Sequence, residues 1–192
     1  MPLAEPLQLT LKVAAILDQL NVPYVVGGSL ASSLHGIPRA TQDVDIIAAL
    51  RREHERAFVE AVREGFYVSD EAVSDAIARR ASFNIIHLES IFKVDIFVAK
   101  GDTWSQLEFS RAKRVQLPGS KRPLVVASAE DIVLHKLLWY EKGHHVSERQ
   151  WRDVLGVLEV QDQLDFAYLR DWANRLGILD LFEQALHSSR ST

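Results

Sequence analysis

The sequence predicts an α+β protein in which a small mixed β-sheet with flanking helices is followed by a C-terminal helical segment. Short β-rich runs such as Tyr24–Val26 alternate with helical patterns in the first two thirds of the chain. Two longer runs, Phe83–Leu88 and Ile91–Ala99, are joined by a two-residue polar link, which favours an antiparallel hairpin. From Ser128 onward only helical periodicity remains, and this change predicts the helical segment.

The individual elements follow from local signals in chain order. Apolar residues at helical spacing predict a first helix over Leu7–Leu20, and Pro23 lies just beyond its end. The other predicted strands are Tyr24–Val26, Val44–Ala48, Phe66–Val68, Arg114–Leu117 and Leu124–Val126. The other predicted helices are Leu30–His35, Glu53–Arg63, Asp70–Arg80, Trp104–Phe109, Ala129–Tyr140, Ser147–Val160, Asp165–Leu176 and Ile178–His187.

Composition excludes several classes of protein. The chain has 192 residues, which is enough to bury a core without disulfides or structural metals. A net charge of −4 argues against a uniformly basic nucleic-acid scaffold but allows a local basic patch. The absence of cysteine excludes disulfides, thiolate zinc sites and cysteine nucleophiles. Short apolar stretches and an N-terminus without a basic region predict neither a membrane span nor a signal peptide, so we expect a cytoplasmic protein.

Two aspartates alternate on a predicted strand in the motif Asp43-Val44-Asp45. Side chains two residues apart share one face of a strand, so both carboxylates point the same way. Such a pair repels itself unless a cation lies between the groups, and carboxylate oxygens suit Mg²⁺ or Mn²⁺. An isolated motif of this kind also occurs on ordinary solvated strand ends.

A third carboxylate, Asp95, lies among apolar residues of another predicted strand. If this strand neighbours the one that carries Asp43 and Asp45, three carboxylates line one face and can hold two divalent ions. The alternative is that Asp95 simply pairs with Lys93 or Arg39. The three aspartates together favour the metal site.

The turn Gly27-Gly28-Ser29 lies between a predicted strand and a predicted helix. Glycines let the backbone approach a ligand closely, and Ser29 is predicted to cap the helix, where free N–H groups favour phosphate oxygens. Arg39 lies between this turn and the paired aspartates, where it can reach a phosphate or pair with Asp43 or Asp95.

The glycine turn, the string from Leu34 to Asp45 and the later Asp95 together resemble the nucleotidyltransferase superfamily related to DNA polymerase β. The closest likeness is to the AbiEii-type toxin nucleotidyltransferases and their short relatives. This resemblance implies that the glycine–serine turn binds nucleotide phosphates and that the three aspartates bind catalytic metals. It also implies a nucleotidyltransferase core over residues 1–127 and a helical subdomain, residues 128–192, that packs on it.

The C-terminal part resembles the family more loosely. The run from Ser128 to Leu137 is similar to the family's lysine helix, and the run from Arg149 to Val154 is similar to its Arg-Asp motif. The similarity implies that Lys136 contacts the triphosphate and that Asp153 positions the triphosphate or the lysine. A purely structural ion pair between the two helices is the alternative.

The resemblance implies an enzyme that uses Mg²⁺ or Mn²⁺ to transfer an NMP from an NTP to a hydroxyl of RNA, tRNA or a protein. It also implies a place as the toxin of a toxin–antitoxin pair, with a cognate antitoxin as partner. Two alternatives stay open: a nucleotide-binding regulatory or antitoxin module without turnover, and an aminoglycoside-type adenylyltransferase. The cations of the run Arg111–Arg122 have no acid between them, so the run can guide a nucleic-acid backbone or form a solvated surface.

Overall fold

A computed structural model describes residues 4–41 and 43–190. Gln42, which belongs to the string from Leu34 to Asp45, lies outside the described residues. The strands are β1 (Tyr24–Val26), β2 (Asp43–Ala48), β3 (Phe66–Tyr67), β4 (Ser82–His87), β5 (Lys93–Val98), β6 (Lys113–Gln116) and β7 (Pro123–Val126). The helices are α1 (Glu5–Gln19), α2 (Gly28–His35), α3 (Glu55–Val62), α4 (Asp70–Arg79), α5 (Thr103–Arg111), α6 (Ala129–Lys142), α7 (Glu148–Val160), α8 (Phe166–Arg175) and α9 (Leu179–Ser189).

These elements confirm the predicted mixture of a sheet, flanking helices and a helical C-terminal segment. The structure differs from the prediction mainly at element ends. A 3₁₀ turn over Arg52–His54 precedes α3, so this helix begins two residues later than predicted. By contrast, α1 begins earlier, at Glu5, because Pro6 is tolerated in the first turn of a helix.

The chain forms two compact units, and neither is a continuous stretch of sequence. Among the described residues, the first unit consists of residues 4–27, 41 and 43–127, and the second of residues 28–40 and 128–190. The segment 28–40, which carries α2, therefore belongs with the C-terminal helices.

The first unit is built on one mixed sheet with the strand order β3-β4-β5-β2-β1-β7-β6. The pairs β2–β5 and β1–β7 are parallel, and the remaining neighbours are antiparallel, including the predicted hairpin of β4 and β5. Val44 and Ile46 of β2 and Val94 and Ile96 of β5 are fully buried on one face of the sheet. A slip of one residue would turn these side chains to the other face, so their burial fixes the register of the two central strands.

The second unit is helical. Helix α2 packs on α6 and α7, and α9 packs on α7 and α8. Helices α6, α7 and α8 each begin after a serine or aspartate whose side chain accepts a hydrogen bond from a backbone N–H of the first turn. Such caps stabilise a helix by about 1 kcal/mol each and define where it starts.

Candidate functional site

Three aspartates lie on one face of the two central strands. Asp43 and Asp45 occupy alternate positions on β2, and Asp95 lies on the parallel neighbour β5, directly opposite Asp45. All three are half-buried, whereas the residues that alternate with them are buried on the other face. The apolar residues that fix the register therefore also fix the position of the carboxylates.

A lysine side chain lies among these carboxylates. Lys93 is opposite Asp43 in the β2–β5 register, and its Nζ lies 2.7 Å from Oδ2 of Asp95. The hydrogen bond to Asp95 raises the pKa of Lys93, and the negative charges of Asp95, Asp43 and Asp45 raise it further against the opposing effect of burial. The ammonium therefore lies in the field of all three aspartates. We refer to these four residues as the carboxylate face.

The donor chemistry of the carboxylate face fits a divalent cation. Over residues 4–41 and 43–190, no three acidic, histidine or cysteine side chains form a ready-made metal cluster. The three carboxylates nevertheless attract one positive charge, the Lys93 ammonium. Carboxylate oxygens are the ligands that Mg²⁺ and Mn²⁺ prefer, so the aspartates match such an ion in both donor type and charge.

The glycine turn begins beside this face. The Gly27 N–H donates a 2.9 Å hydrogen bond to the carbonyl of Asp45, which joins the end of β1 to the second aspartate of the motif. Gly28 has φ = +59°, a left-handed conformation that favours glycine. Helix α2 starts at Gly28, so the prediction that Ser29 is the cap is wrong: Ser29 lies inside the first turn, and its hydroxyl accepts from Arg39.

The second unit contains a cluster of charged and polar side chains around Asp153, which we call the Asp153 cluster: Ser29, Arg39, Lys136 and Asp153. Arg39 donates to both carboxylate oxygens of Asp153, from Nε at 2.7 Å and from Nη2 at 2.8 Å. Lys136 Nζ donates to Oδ2 of the same carboxylate at 2.7 Å, and Arg39 Nη2 also donates to Oγ of Ser29 at 2.6 Å.

The charged side chains of the Asp153 cluster are buried or half-buried, so each strongly affects the electrostatic energy of the others. The side chains of Lys136 and Asp153 are only 5% and 6% exposed, and that of Arg39 is 26% exposed. Burial raises the pKa of Asp153, but the hydrogen bonds from Arg39 and Lys136 and their positive charges together lower it by more, so the pKa lies below its usual value. Two cations and one carboxylate leave the cluster with a formal charge of +1. This positive charge suits the binding of an anionic phosphate group.

A close contact between two glycines holds the loop that carries Arg39. A Cβ atom on Gly36 would lie 2.8 Å from the carbonyl carbon of Gly156 in α7, and one on Gly156 would lie 3.3 Å from the backbone nitrogen of Ile37. Only glycine allows backbones to approach this closely. Since Asp153 lies one turn before Gly156 on the same helix, the contact brings Arg39 within reach of Asp153.

Gly36→Ala is expected to destabilise the protein by about 1–3 kcal/mol, the usual cost of overpacking against atoms that cannot move aside. Denaturant unfolding followed by tryptophan fluorescence measures the effect. Gly27→Ala serves as the control, because a Cβ there meets only Ile47 at 4.0 Å. Equal stability of the two variants would contradict the role assigned to the glycine contact.

The partner of Arg39 in the structure differs from the partners that the sequence suggested. The sequence suggested Asp43 or Asp95 as the protein partner of Arg39, whereas Arg39 binds Asp153, which lies 114 residues away in the chain. A phosphate as a ligand of Arg39 stays a prediction. For Asp95 the sequence suggested Lys93 or Arg39 as the partner, and in the structure Asp95 pairs with Lys93. Asn84 was missed by sequence reasoning: it lies opposite Asp95 on β4, and no recognisable motif surrounds it.

The hairpin of β6 and β7, with the loop 117–122 between them, carries most of the basic run at one edge of the sheet. We call this segment, residues 113–126, the basic hairpin. Lys113, Arg114 and Lys121 are exposed and have no ion-pair partner among the residues that the structure describes. Arg122 instead donates to Asp18 at 2.9 Å. Three strand spacings separate β6 from β2, a distance of about 14 Å within the same sheet.

Within residues 4–41 and 43–190, none of the helices combines the length and the apolar character needed to cross a membrane.

Comparison with known proteins identifies the fold. No protein-family model matches the chain, and no curated protein sequence matches it. Among solved structures, an antigenic nucleotidyltransferase-like protein from Paracoccidioides brasiliensis is similar with a TM-score of 0.55 and 18% identity, over 97% of this chain and 95% of that one. A lincosamide antibiotic adenylyltransferase in its lincomycin-bound form is similar with a TM-score of 0.54 and 12% identity, over 84% of this chain and 100% of that one. The chain thus has the fold of nucleotidyltransferase-like proteins.

Proposed function

We propose that this protein is a metal-dependent nucleotidyltransferase that moves an NMP group from an NTP to a hydroxyl acceptor and releases pyrophosphate. The observation that carries the proposal is the alignment of Asp45 with Asp95 on parallel strands, with Asp43 on the same face and one cation drawn among them. Three carboxylates that share one sheet face repel one another, and a bound cation relieves this repulsion. The fold shared with nucleotidyltransferase-like proteins agrees with this proposal.

The carboxylate face has two tasks in the proposed reaction. Asp43 and Asp45 would ligate Mg²⁺ or Mn²⁺, and Asp95 would complete the ligand set. A divalent ion, when bound, supplies positive charge that lowers the pKa of the acceptor hydroxyl and neutralises the leaving phosphate. Asp95 is also the base that takes the hydroxyl proton as the acceptor oxygen bonds to the α-phosphorus and the bond from that phosphorus to the β-phosphate oxygen breaks.

The phosphate groups need donors and positive charge from the chain itself. Gly28 would bind phosphate oxygens through its backbone N–H, and Gly27, whose own N–H donates to Asp45, would let the phosphate approach closely because it carries no side chain. Ser29, Arg39 and Lys136 would contribute a hydroxyl and two cations, while Asp153 orients both cations. Charge of this kind stabilises pyrophosphate as it leaves.

RNA is the acceptor class that the described residues favour. At the edge of the sheet that carries the aspartates, the basic hairpin presents three exposed cations that have no ion-pair partner within residues 4–41 and 43–190, in a chain whose net charge is −4. Local positive charge on an otherwise acidic protein attracts a phosphate backbone. Lysine also protects edge strands from aggregation, so the hairpin needs a direct test.

Replacing Lys113, Arg114 and Lys121 together with alanine is expected to weaken RNA binding and to lower the slope of log affinity against log salt by about 2, since each lost phosphate contact on a single strand removes about 0.7. Fluorescence anisotropy with a labelled RNA at several salt concentrations measures this slope. The matched control replaces Arg52, Arg56 and Arg79, three exposed arginines with acidic partners in the same unit. Equal slopes for the two triple variants would contradict the assignment of RNA to the hairpin.

The decisive experiment for the activity uses the purified protein with each of the four NTPs labelled at the α-phosphate, Mg²⁺, and total RNA or cell lysate. Covalent label in the RNA fraction supports the proposed reaction, and label in protein or in a small molecule identifies another acceptor. Nucleotide binding without transfer or pyrophosphate release supports the rival, a nucleotide-binding regulatory or antitoxin module. Growth arrest on expression, relieved by a cognate antitoxin, tests the AbiEii-type toxin role.

A further inference from the structure

Lys93 occupies an unusual position on the carboxylate face. It lies directly opposite Asp43 and two residues before Asp95 on the same strand, so its side chain shares the face of all three aspartates. Its Nζ lies 2.7 Å from Oδ2 of Asp95, whose side chain is only 20% exposed, while the lysine is 44% exposed. The lysine therefore reaches inward from solvent to a more enclosed carboxylate.

The fold does not require this lysine. The register of β2 and β5 is fixed from the opposite face by Val44, Ile46, Val94 and Ile96. A partly exposed ion pair contributes little to stability, because water screens it and the long side chain loses conformational freedom. The position of Lys93 is thus better explained by the carboxylates than by packing.

An ammonium group and a divalent ion compete for the same oxygen. Oδ2 of Asp95 forms an ion pair with the Lys93 ammonium at 2.7 Å, and charge-assisted contacts at this distance are among the stronger polar interactions in proteins. A metal ion bound to that oxygen would also lie close to the positive charge of Lys93, and the two cations would repel each other. Binding of the ion therefore requires the ammonium to move away.

We propose that Lys93 is a tethered counter-ion of the carboxylate face, which neutralises Asp95 while no divalent ion is bound and swings off Asp95, still protonated, when one binds. The inference rests on the proposed function in that a divalent ion binds the aspartates. Lys93 would therefore affect the binding of free metal ions more than the binding of metal–nucleotide complexes. An ion that binds alone must displace Lys93 from Asp95. An ion that binds with a triphosphate brings anionic oxygens with which the released ammonium can pair. Lys93 thus suppresses metal binding in the absence of nucleotide.

Lys93→Met tests the inference, because methionine keeps much of the apolar stem and removes the charge. Lys93→Arg keeps the charge, and Lys113→Met removes an exposed lysine of the same sheet that has no ion-pair partner among the described residues. Each protein is freed of metal with a chelator and titrated with Mn²⁺ without nucleotide at one pH, with free Mn²⁺ followed by electron paramagnetic resonance. We expect Lys93→Met to bind Mn²⁺ about tenfold more tightly than the natural protein, the scale of one charge-assisted hydrogen bond. The two control variants should bind like the natural protein.

A second readout is the rise in unfolding temperature on adding Mn²⁺, which should be larger in Lys93→Met than in Lys113→Met. Unchanged or weaker Mn²⁺ binding by Lys93→Met overturns the inference, as does an equal gain in Lys113→Met. Nucleotidyl transfer by the natural protein is measured in parallel. Transfer without the gain in affinity overturns the role of Lys93 alone, and the gain without transfer overturns the proposed function alone.

Discussion

Replacing Asp45 with alanine is expected to abolish nucleotidyl transfer, with a loss of about a thousandfold or more, while the domain stays folded. Asp45 faces Asp95 in the β2–β5 register, so under the proposed function its removal takes away a metal ligand from the carboxylate face. Bound metal ions supply several kcal/mol of transition-state stabilisation, which corresponds to a rate effect of this size. Transfer of labelled nucleotide and Mn²⁺ binding are the measurements.

The fold should tolerate this change because it relieves repulsion among like charges. Thermal unfolding of Asp45→Ala is therefore expected to stay cooperative, with a midpoint at or above that of the natural protein. Asp75→Ala is the matched control, since Asp75 pairs with Arg79 on the exposed surface of α4. A loss of cooperative unfolding in Asp45→Ala would show that the residue is structural, and full activity would contradict its role as a ligand.

Replacing Asp153 with alanine is expected to lower the free energy of unfolding by about 3–5 kcal/mol, the range for breaking a buried ion pair. The substitution leaves Arg39 and Lys136 without the carboxylate on which both converge. Asp171→Ala provides the comparison, because Asp171 forms an exposed pair with Arg175 that is worth about 1 kcal/mol at most. Denaturant unfolding of the two variants measures the difference.

The loss of stability caused by unpaired buried charge can be distinguished from a loss caused by poorer packing. If unpaired buried charge is responsible, adding Lys136→Met to Asp153→Ala should recover part of the lost stability.

The lowered pKa of Asp153 gives a second check. A carboxyl group with a depressed pKa stabilises the fold above its unfolded pKa of about 3.9, and this contribution is lost as the pH falls through the folded pKa. The difference in the free energy of unfolding between the natural protein and Asp153→Asn should therefore be constant near neutral pH and become smaller below about pH 4. A difference that stays the same in acid would contradict the ion-pair explanation.

Local patterns were enough to predict the parts of the site that depend on local geometry. The alternation of Asp43 and Asp45 follows from the two-residue period of a strand, and the setting of Asp95 follows from the apolar residues beside it. The parallel pairing that brings Asp45 opposite Asp95 could not be deduced, because it depends on the order of strands far apart in the chain.

The structure has the contact between Lys136 and Asp153 that the sequence suggested, but the participation of Arg39 in the Asp153 cluster was beyond sequence reasoning for a similar reason. Arg39 and Asp153 are 114 residues apart, and their contact depends on two glycines that let a loop and a helix approach each other. Neither Gly36 nor Gly156 lies in a pattern that predicts such an approach. The start of α2 was also missed, since the left-handed conformation of Gly28 depends on the path that the backbone takes after β1.

The discontinuous make-up of the second unit has a consequence for how the protein is synthesised. Helix α2 leaves the ribosome well before α6 and α7, on which it packs in the finished protein. At about 5–20 residues per second, the intervening residues 41–127 take on the order of 5–20 s to be translated. An isolated helix this short is unstable in water, so Leu30 and Ala31, which are buried in the folded chain, are expected to be exposed during that interval. The nascent chain therefore offers a chaperone an apolar segment for several seconds, and the Asp153 cluster forms only after translation has passed α7.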